Sequence, residues 1–245
     1  MIRKLSLLCI SIIACTGCSL KQKSYTIGID PSWFPLDLQG RDARLLAFSH
    51  DVLSEIARLE KIHFKEVTRS WDNLDLGLRE KKYDAILSSI YPHVYEQERY
   101  SFSDLYMHTG PVLVVKNQAQ LDFSGTLADR EIALHSKDIQ TLLISIYPQA
   151  TVRLYPTLPA VLDVLLNDVV DAAAMGRLLA IFYIQHLYKE KVKIATPPLN
   201  NAGLRLITLH GQHNGLITAF NRGLANLRTS GTYDTLVKKW GLDWE

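Results

Sequence analysis

Cysteine is nearly absent. The chain of 245 residues has three, Cys9, Cys15 and Cys18, all within the first eighteen positions. The rest of the chain therefore contains no disulfide, and an exported domain built from it must stand on its apolar core. An excess of one charge is also missing. The 27 Lys and Arg balance 25 Asp and Glu with no basic cluster, which removes nucleic acid from the expected partners. There is no repeat, no low-complexity stretch, no metal-ligand spacing and no nucleophile–base pair, so no metal or cofactor is expected. Long apolar runs are confined to one short segment near the start. What is present is 47% hydrophobic and 21% charged, a globular composition with length enough for a sizeable core.

That apolar segment sets the compartment. Arg3 and Lys4 precede a mostly apolar run from Leu5 to Ala14, too short to cross a bilayer comfortably, which reads as a secretory signal. It closes in Cys15-Thr16-Gly17-Cys18, which resembles a lipobox, although Cys15 occupies the place usually taken by Leu. The resemblance implies that residues 1–17 are removed and that Cys18 is diacylated. Plain secretion and an uncleaved anchor are the alternatives. Loss of Arg3 and Lys4 leaves 25 basic and 25 acidic side chains. Two acyl chains hold a protein to a membrane where one would be marginal, and residues 18–24 would form a tether.

The stretch from Trp71 to Tyr106 is the most informative. Leu74, Leu78 and Lys82 share a helical stripe, and Asp72 or Asn73 can cap it. Tyr83 to Leu87 reads as a short buried strand ending in Ser88-Ser89. Elsewhere, strands are expected at Tyr25–Ile29, His63–Val67, Pro111–Lys116, Ile132–Leu134, Val152–Tyr155, Asp171–Met175, Val192–Ile194 and Leu204–Thr208. Helical patterns lie between them, including one on Val52, Ile56 and Leu59. Four strands end at polar or variable positions: Ile29 before Asp30, Leu87 before Ser88, Leu134 before His135, and Ala174 before Met175. Ligand crevices of open α/β sheets lie off the carboxyl ends of strands, so these four ends are expected to face one cleft.

Trp71, Asp72, Leu74, Leu78, Lys82, Asp84, Ala85, Ile86, Ser88, Phe102, Ser103 and Tyr106 match, at the right spacing, a signature of the bacterial extracellular solute-binding proteins of family 3. Leu227 to Tyr233, with Lys239-Trp240, resembles the family's closing motif, and Asp30-Pro31-Ser32-Trp33 its first pocket loop. The resemblance implies an α/β, two-lobed type II periplasmic-binding-protein fold. Each lobe would be a mixed, mostly parallel sheet flanked by helices, with two hinge crossovers. Lobe one would comprise residues 25–110 and 205–245, and lobe two residues 111–204. Gly40 to Leu46 resembles a hairpin of the family, and Ser49 stands where the family has a helix-capping Asp.

Implied ligand contacts are Asp30, Trp33, Trp71, Ser88, Ser89 and Tyr91 from lobe one, and His135, Ser136 and Asp138 from lobe two. Each has an ordinary reading as well: Asp30, Ser88 and Ser89 as turn residues, Trp33 and Trp71 as core aromatics. The family's zwitterion anchors are replaced. Its lobe-one Arg falls on Glu96, its Gly-Thr-Thr segment on Lys137-Asp138-Ile139, and its lobe-two Asp on Gly176. Arg99 could stand in for the missing Arg. Alternatively the ligand enters reversed, with its ammonium toward Glu96 and its carboxylate toward Lys137 or Arg177.

The leading expectation is a monomeric, lipid-anchored receptor at the cell surface or in the periplasm. It would capture a small polar, amino acid-like solute and hand it to an ABC permease. Two other readings stay open. One is a periplasmic enzyme like the cyclohexadienyl dehydratases, with Glu96, Asp138 or His135 as acid. The other is a degenerate receptor used for sensing.

Overall fold

Two β sheets, each covered by helices on both faces, divide the chain. The computed structural model describes residues 22–34, 36, 38, 40–123 and 125–243, and the readings on residues 1–17 and Cys18 lie outside these. The chain opens with β1 (Ser24–Ile29), α1 (Asp42–Glu60), β2 (His63–Thr68), α2 (Trp71–Arg79), β3 (Ala85–Ser88), α3 (Val94–Gln97), β4 (Tyr100–Phe102) and β5 (Met107–His108). It crosses into β6 (Pro111–Lys116), β7 (Glu131–Leu134), α4 (Lys137–Ile146), β8 (Thr151–Leu154), α5 (Leu158–Leu166), β9 (Ala172–Gly176), α6 (Arg177–His186) and β10 (Val192–Ile194). It then returns through β11 (Gly203–Leu209) to α7 (Asn214–Thr229) and α8 (Thr232–Lys239).

The first sheet runs β2-β1-β3-β11-β4, with β5 also on β11; the second runs β10-β6-β9-β7-β8. The sheets are mixed, but less parallel than expected. In the first, β1 pairs parallel with β2 and β3, while β11 pairs antiparallel with β3, β4 and β5. In the second, β7 is parallel to β8 and β9, and β6 is antiparallel to β9 and β10. The reason is connectivity: β6 and β11 carry the chain from one sheet to the other and so run against their neighbours.

Local sequence explains most elements. In α1, Leu45, Phe48, Val52, Leu53 and Ile56 form one buried stripe. That stripe begins at Leu45, so the hairpin expected at Gly40–Leu46 is instead the first turn of this helix. Ser49 is correspondingly not a cap but a buried mid-helix residue. Its hydroxyl donates to Leu45 O at 2.8 Å and shares a 3.0 Å hydrogen bond with Tyr106 OH. Tyr83 precedes β3 and stays buried, its OH donating to Asn73 O at 2.9 Å. Gly28 and Gly77 lie against this ring; a Cβ there would come to 2.9 and 2.3 Å from Tyr83 atoms. Residues ahead of β1 are already docked: Gln22 Nε2 donates to Ile62 O at 2.8 Å, and His63 N to Lys23 O at 2.8 Å.

Hydrophobic clusters fill both faces of each sheet. One, on α1 and α7, includes Ile27, Phe48, Tyr106, Leu206 and Phe220, while Leu74, Tyr83, Ile86 and Ile207 fill the face under α2. Val112, Leu162 and Ala180 belong to one cluster of the second sheet, and Leu113, Leu134 and Leu143 to the other. The two connections between sheets lie side by side. Gly203 pairs with His108, and Thr109 N and Gly110 N both donate to Ala202 O, at 3.0 and 3.1 Å. This close approach requires glycine: a Cβ on Gly203 would lie 2.2 Å from Met107 O. Among the described residues no helix is long and apolar enough to cross a membrane.

Candidate functional site

On the first sheet, Ile29 of β1 lies in register with Leu87 of β3, which places Asp30 beside Ser88 at the carboxyl edge. Asp30 is buried, and its carboxylate is engaged locally. Ser32 N donates to Oδ1 at 3.0 Å, and Ser32 Oγ lies 2.8 and 2.9 Å from Oδ1 and Oδ2. This is the side-chain-closed turn that Asp favours before such a loop. Trp33 follows with φ of 56° and is 2% exposed, packed in the core of lobe one. Its Nε1 is buried with no hydrogen-bond partner among the described residues. Ser88 Oγ accepts from Ile90 N at 3.3 Å, whereas Ser89 Oγ is buried without a partner. Tyr91 lies tilted against His93 at 4.6 Å, and His93 stacks on Tyr95 at 5.3 Å.

Trp71 opens α2 and lies 5.7 Å from the Phe34 ring. Together with Glu96, Arg99, Asp72, Ile90 and Tyr100 it lines a cavity of about 310 Å³ between α2 and α3. Glu96 Oε2 is buried without a hydrogen bond and lies 3.9 Å from Arg99 Nη1. Arg99 Cζ also lies 5.3 Å from the Tyr100 ring centroid. Burial and a hydrogen bond to Asp75 push the Tyr100 hydroxyl up to about 12, so it donates throughout the physiological range.

The second sheet presents a different surface. The ends of β7 and β9 bring His135, Ser136, Asp138 and Gly176 into one cavity of about 380 Å³. His135 is exposed and its Nδ1 donates to Tyr155 O at 3.1 Å. Ser136 is the first residue before α4, and its hydroxyl makes no capping bond, so the α4 N-terminus with Asp138 in its first turn opens directly into the space. At Gly176 a Cβ would meet nothing within 4 Å. Crowding therefore does not require glycine at this position. Leu36 and Leu38 from the loop after β1 close the cavity opposite Leu158 and Met175, and the first crossover contributes Thr109 and Gly110.

Arg177 does not share this cavity. Its backbone N donates to Gly110 O at 3.2 Å, and its buried side chain turns to Met107 Sδ (3.7 Å) and His108 O (3.4 Å), in a separate cavity. The expected site is thus brought together in two groups, Trp71 with Glu96 and Arg99, and His135 with Ser136, Asp138 and Gly176. Asp30, Trp33, Ser88, Ser89 and Tyr91 line neither cavity. Sequence reasoning missed Leu36, Leu38, Thr109, Gly110 and Leu158. Apolar positions of this kind carry no signal that separates a cleft wall from a core.

Known proteins match this architecture. The family model for bacterial extracellular solute-binding proteins, family 3, matches residues 25–243. A probable histidine-binding protein of Campylobacter jejuni is 24% identical over 89% of this chain and 84% of its own length. The L-cystine-binding protein of Bacillus subtilis is 22% identical over 91% of this chain and 83% of its own. Among solved structures, the L-cystine solute receptor of Neisseria gonorrhoeae, unliganded and open, superposes with a TM-score of 0.71 at 18% identity, covering 89% of this chain and 93% of that one. The second substrate-binding domain of Lactococcus lactis GlnP, also open, gives 0.62 at 19% identity, covering 90% and 96%. Two mixed sheets, two side-by-side crossovers and a cavity at the strand ends are the type II periplasmic-binding-protein fold, and the chain belongs to the bacterial extracellular solute-binding proteins of family 3.

Proposed function

We propose that this protein captures a small polar, amino acid-like solute in the cleft between its lobes and delivers it to an ABC permease. The observation that carries this reading is the 380 Å³ cavity, which combines the open α4 N-terminus, two hydroxyls and a carboxylate with an apolar wall supplied by both lobes and the first crossover. Such a volume lies within the roughly 300–1,000 Å³ of ligand pockets. The relatives named for histidine and cystine make these two amino acids the first probes. Rotation about residues 109–110 and 202–203 would bring the Trp71 group toward the His135 group.

Glu96 and Arg99 lie in one cavity, so each orientation of the solute still has a charged group to meet on lobe one. Reversed entry finds neither Lys137 nor Arg177 in the lining of the cleft: Lys137 is exposed at the start of α4, and Arg177 faces elsewhere. The enzymatic alternative would use Glu96, Asp138 or His135 as acid, and sensing would need no transported solute. A thermal-shift screen with L-histidine, L-cystine, dipeptides and prephenate, with product analysis alongside, separates the three readings. A receptor gives saturable stabilisation of about 2.7 kcal/mol at a hundredfold excess over Kd; product formation or no response at all would overturn the transport reading. We further propose that Cys18 is diacylated and the mature protein monomeric. Cys18→Ala should move the protein from membranes to the soluble exported fraction; continued membrane association would mean an uncleaved anchor.

A further inference from the structure

The segments joining the lobes have a cavity on each side. Gly110 and Gly176 line the inter-lobe cleft, while His108 and Arg177, within two residues of them, line a second space of about 440 Å³ behind it. The walls of that space are otherwise supplied by lobe one: Arg228 of α7, Tyr233, Asp234 and Lys238 of α8, and Asp243 after it. Among the described residues, three cations, Arg177, Arg228 and Lys238, meet two carboxylates, Asp234 and Asp243, around it.

Arg177 is 7% exposed, and burial lowers its pKa to about 10. The acceptors around it include Met107 Sδ and the His108 carbonyl, both uncharged. Arg228 Nη2 donates to Leu105 O at 2.5 Å, again to a neutral acceptor. His108 Nδ1 is buried without a hydrogen-bond partner. Burial, then the guanidiniums of Arg177, Arg228 and Arg205, hold its ring below the usual histidine pKa. A concave space walled by Arg177, Arg228 and Lys238, with an unpartnered ring nitrogen of His108 beside them, is suited to an oxyanion, which guanidinium forks bind well.

We propose that this cavity is a second ligand site, separate from the solute cleft, that binds a small oxyanion, a carboxylate or a phosphate, between Arg177 of lobe two and Arg228 and Lys238 of lobe one, with His108 at its floor. Because Arg177 comes from one lobe and the other cations from the opposite lobe, a bound anion ties the lobes together from behind the crossovers. Closing the cleft in front widens this rear space, so the anion opposes closure and weakens solute binding, and the solute weakens the anion by the same factor. The coupling rests on the solute-capture reading above; the site itself does not.

The test uses the full exported chain, titrated calorimetrically with inorganic phosphate and with malonate at ionic strength held constant with chloride. Saturable binding of either probe is expected, with the stronger one identifying the source as phosphate or carboxylate. Lys238→Gln, at an exposed position whose change leaves the fold intact, and Arg228→Gln should each weaken it at least tenfold, while Asp138→Asn in the cleft should leave it unchanged. Absence of saturable binding by both probes overturns the site. So does binding that survives Lys238→Gln and Arg228→Gln, or that strengthens or weakens in Asp138→Asn, which would put the anion in the cleft. Once a solute is known, an unchanged solute affinity in saturating anion would overturn the coupling alone.

Discussion

The two halves of the cleft are built on opposite principles. In lobe one, the groups expected to grip a ligand are turned inward: Asp30 is closed on Ser32, and Trp33 is 2% exposed. In lobe two the corresponding groups stand open. His135 and Asp138 are exposed, Ser136 caps nothing, and Gly176 leaves empty space. A residue at the end of a strand can be either architecture or recognition, and which it is depends on whether its polar atoms are already satisfied. By that criterion Asp30 is architecture; lobe one keeps its unsatisfied atoms, Trp33 Nε1, Ser89 Oγ and Glu96 Oε2, buried, whereas lobe two presents His135 and Asp138 at exposed positions.

The contrast can be broken most decisively at Trp33. If it is architecture, Trp33→Ala removes a buried aromatic and should cost about 3–5 kcal/mol of stability in denaturant unfolding. A small loss would return Trp33 to the ligand. Asp30→Ala opens the turn that precedes it and should cost about 1–2 kcal/mol by the same measurement, since a charged acceptor of three contacts is lost. Trp71 lies at the boundary, half-buried between Phe34 and the cavity. Trp71→Ala should weaken the solute about tenfold, roughly 1.4 kcal/mol, while barely moving the apo melting temperature. A large loss of apo stability would place it with Trp33. The smallest effect is expected in lobe two, where Asp138→Asn should change apo stability by under about 0.5 kcal/mol and show itself only in solute affinity.

Acid should expose a further asymmetry, behind the crossovers. His108 has its pKa depressed first by burial and then by Arg177, Arg228 and Arg205. The unfolded chain binds a proton there at a higher pH than the folded one. Stability is therefore complete above about 6.5, the ordinary histidine value, and falls as the pH is lowered through the depressed folded value. The acid slope of the melting temperature in that window should flatten in His108→Gln; an unchanged slope would assign the loss to other groups.

Much of the fold was legible because it is written in local periodicity. The stripe Leu74–Leu78, the apolar runs 85–87 and 111–115, and the β9 residues 172–175 each carry a helix or strand signal within a few positions. Where reading failed, a longer pattern overrode a motif. Gly40–Leu46 resembled a hairpin, but Leu45 begins the stripe that Phe48, Val52 and Ile56 continue, and burial of that stripe drew Asp42–Leu46 into α1.

The site was legible only in part, and for a different reason. Sequence alone placed strand ends at Asp30, Ser88 and His135, whereas the strand expected to end before Met175 continues through it to Gly176. Sequence could not determine which way each side chain faces. Gly176 and Arg177 are neighbours, yet one lines the cleft and the other the space behind it, because the chain turns between them from β9 into α6. Glu96 and Arg99 face the same cavity because the turn that ends α3 folds Arg99 N back onto Glu96 O at 3.1 Å. Trp33 combines a positive φ with a buried ring, a conformation uncommon outside glycine that its sequence does not announce. Chemistry is stored in the order of residues, but its direction is fixed only when packing chooses the rotation of each element about its own axis.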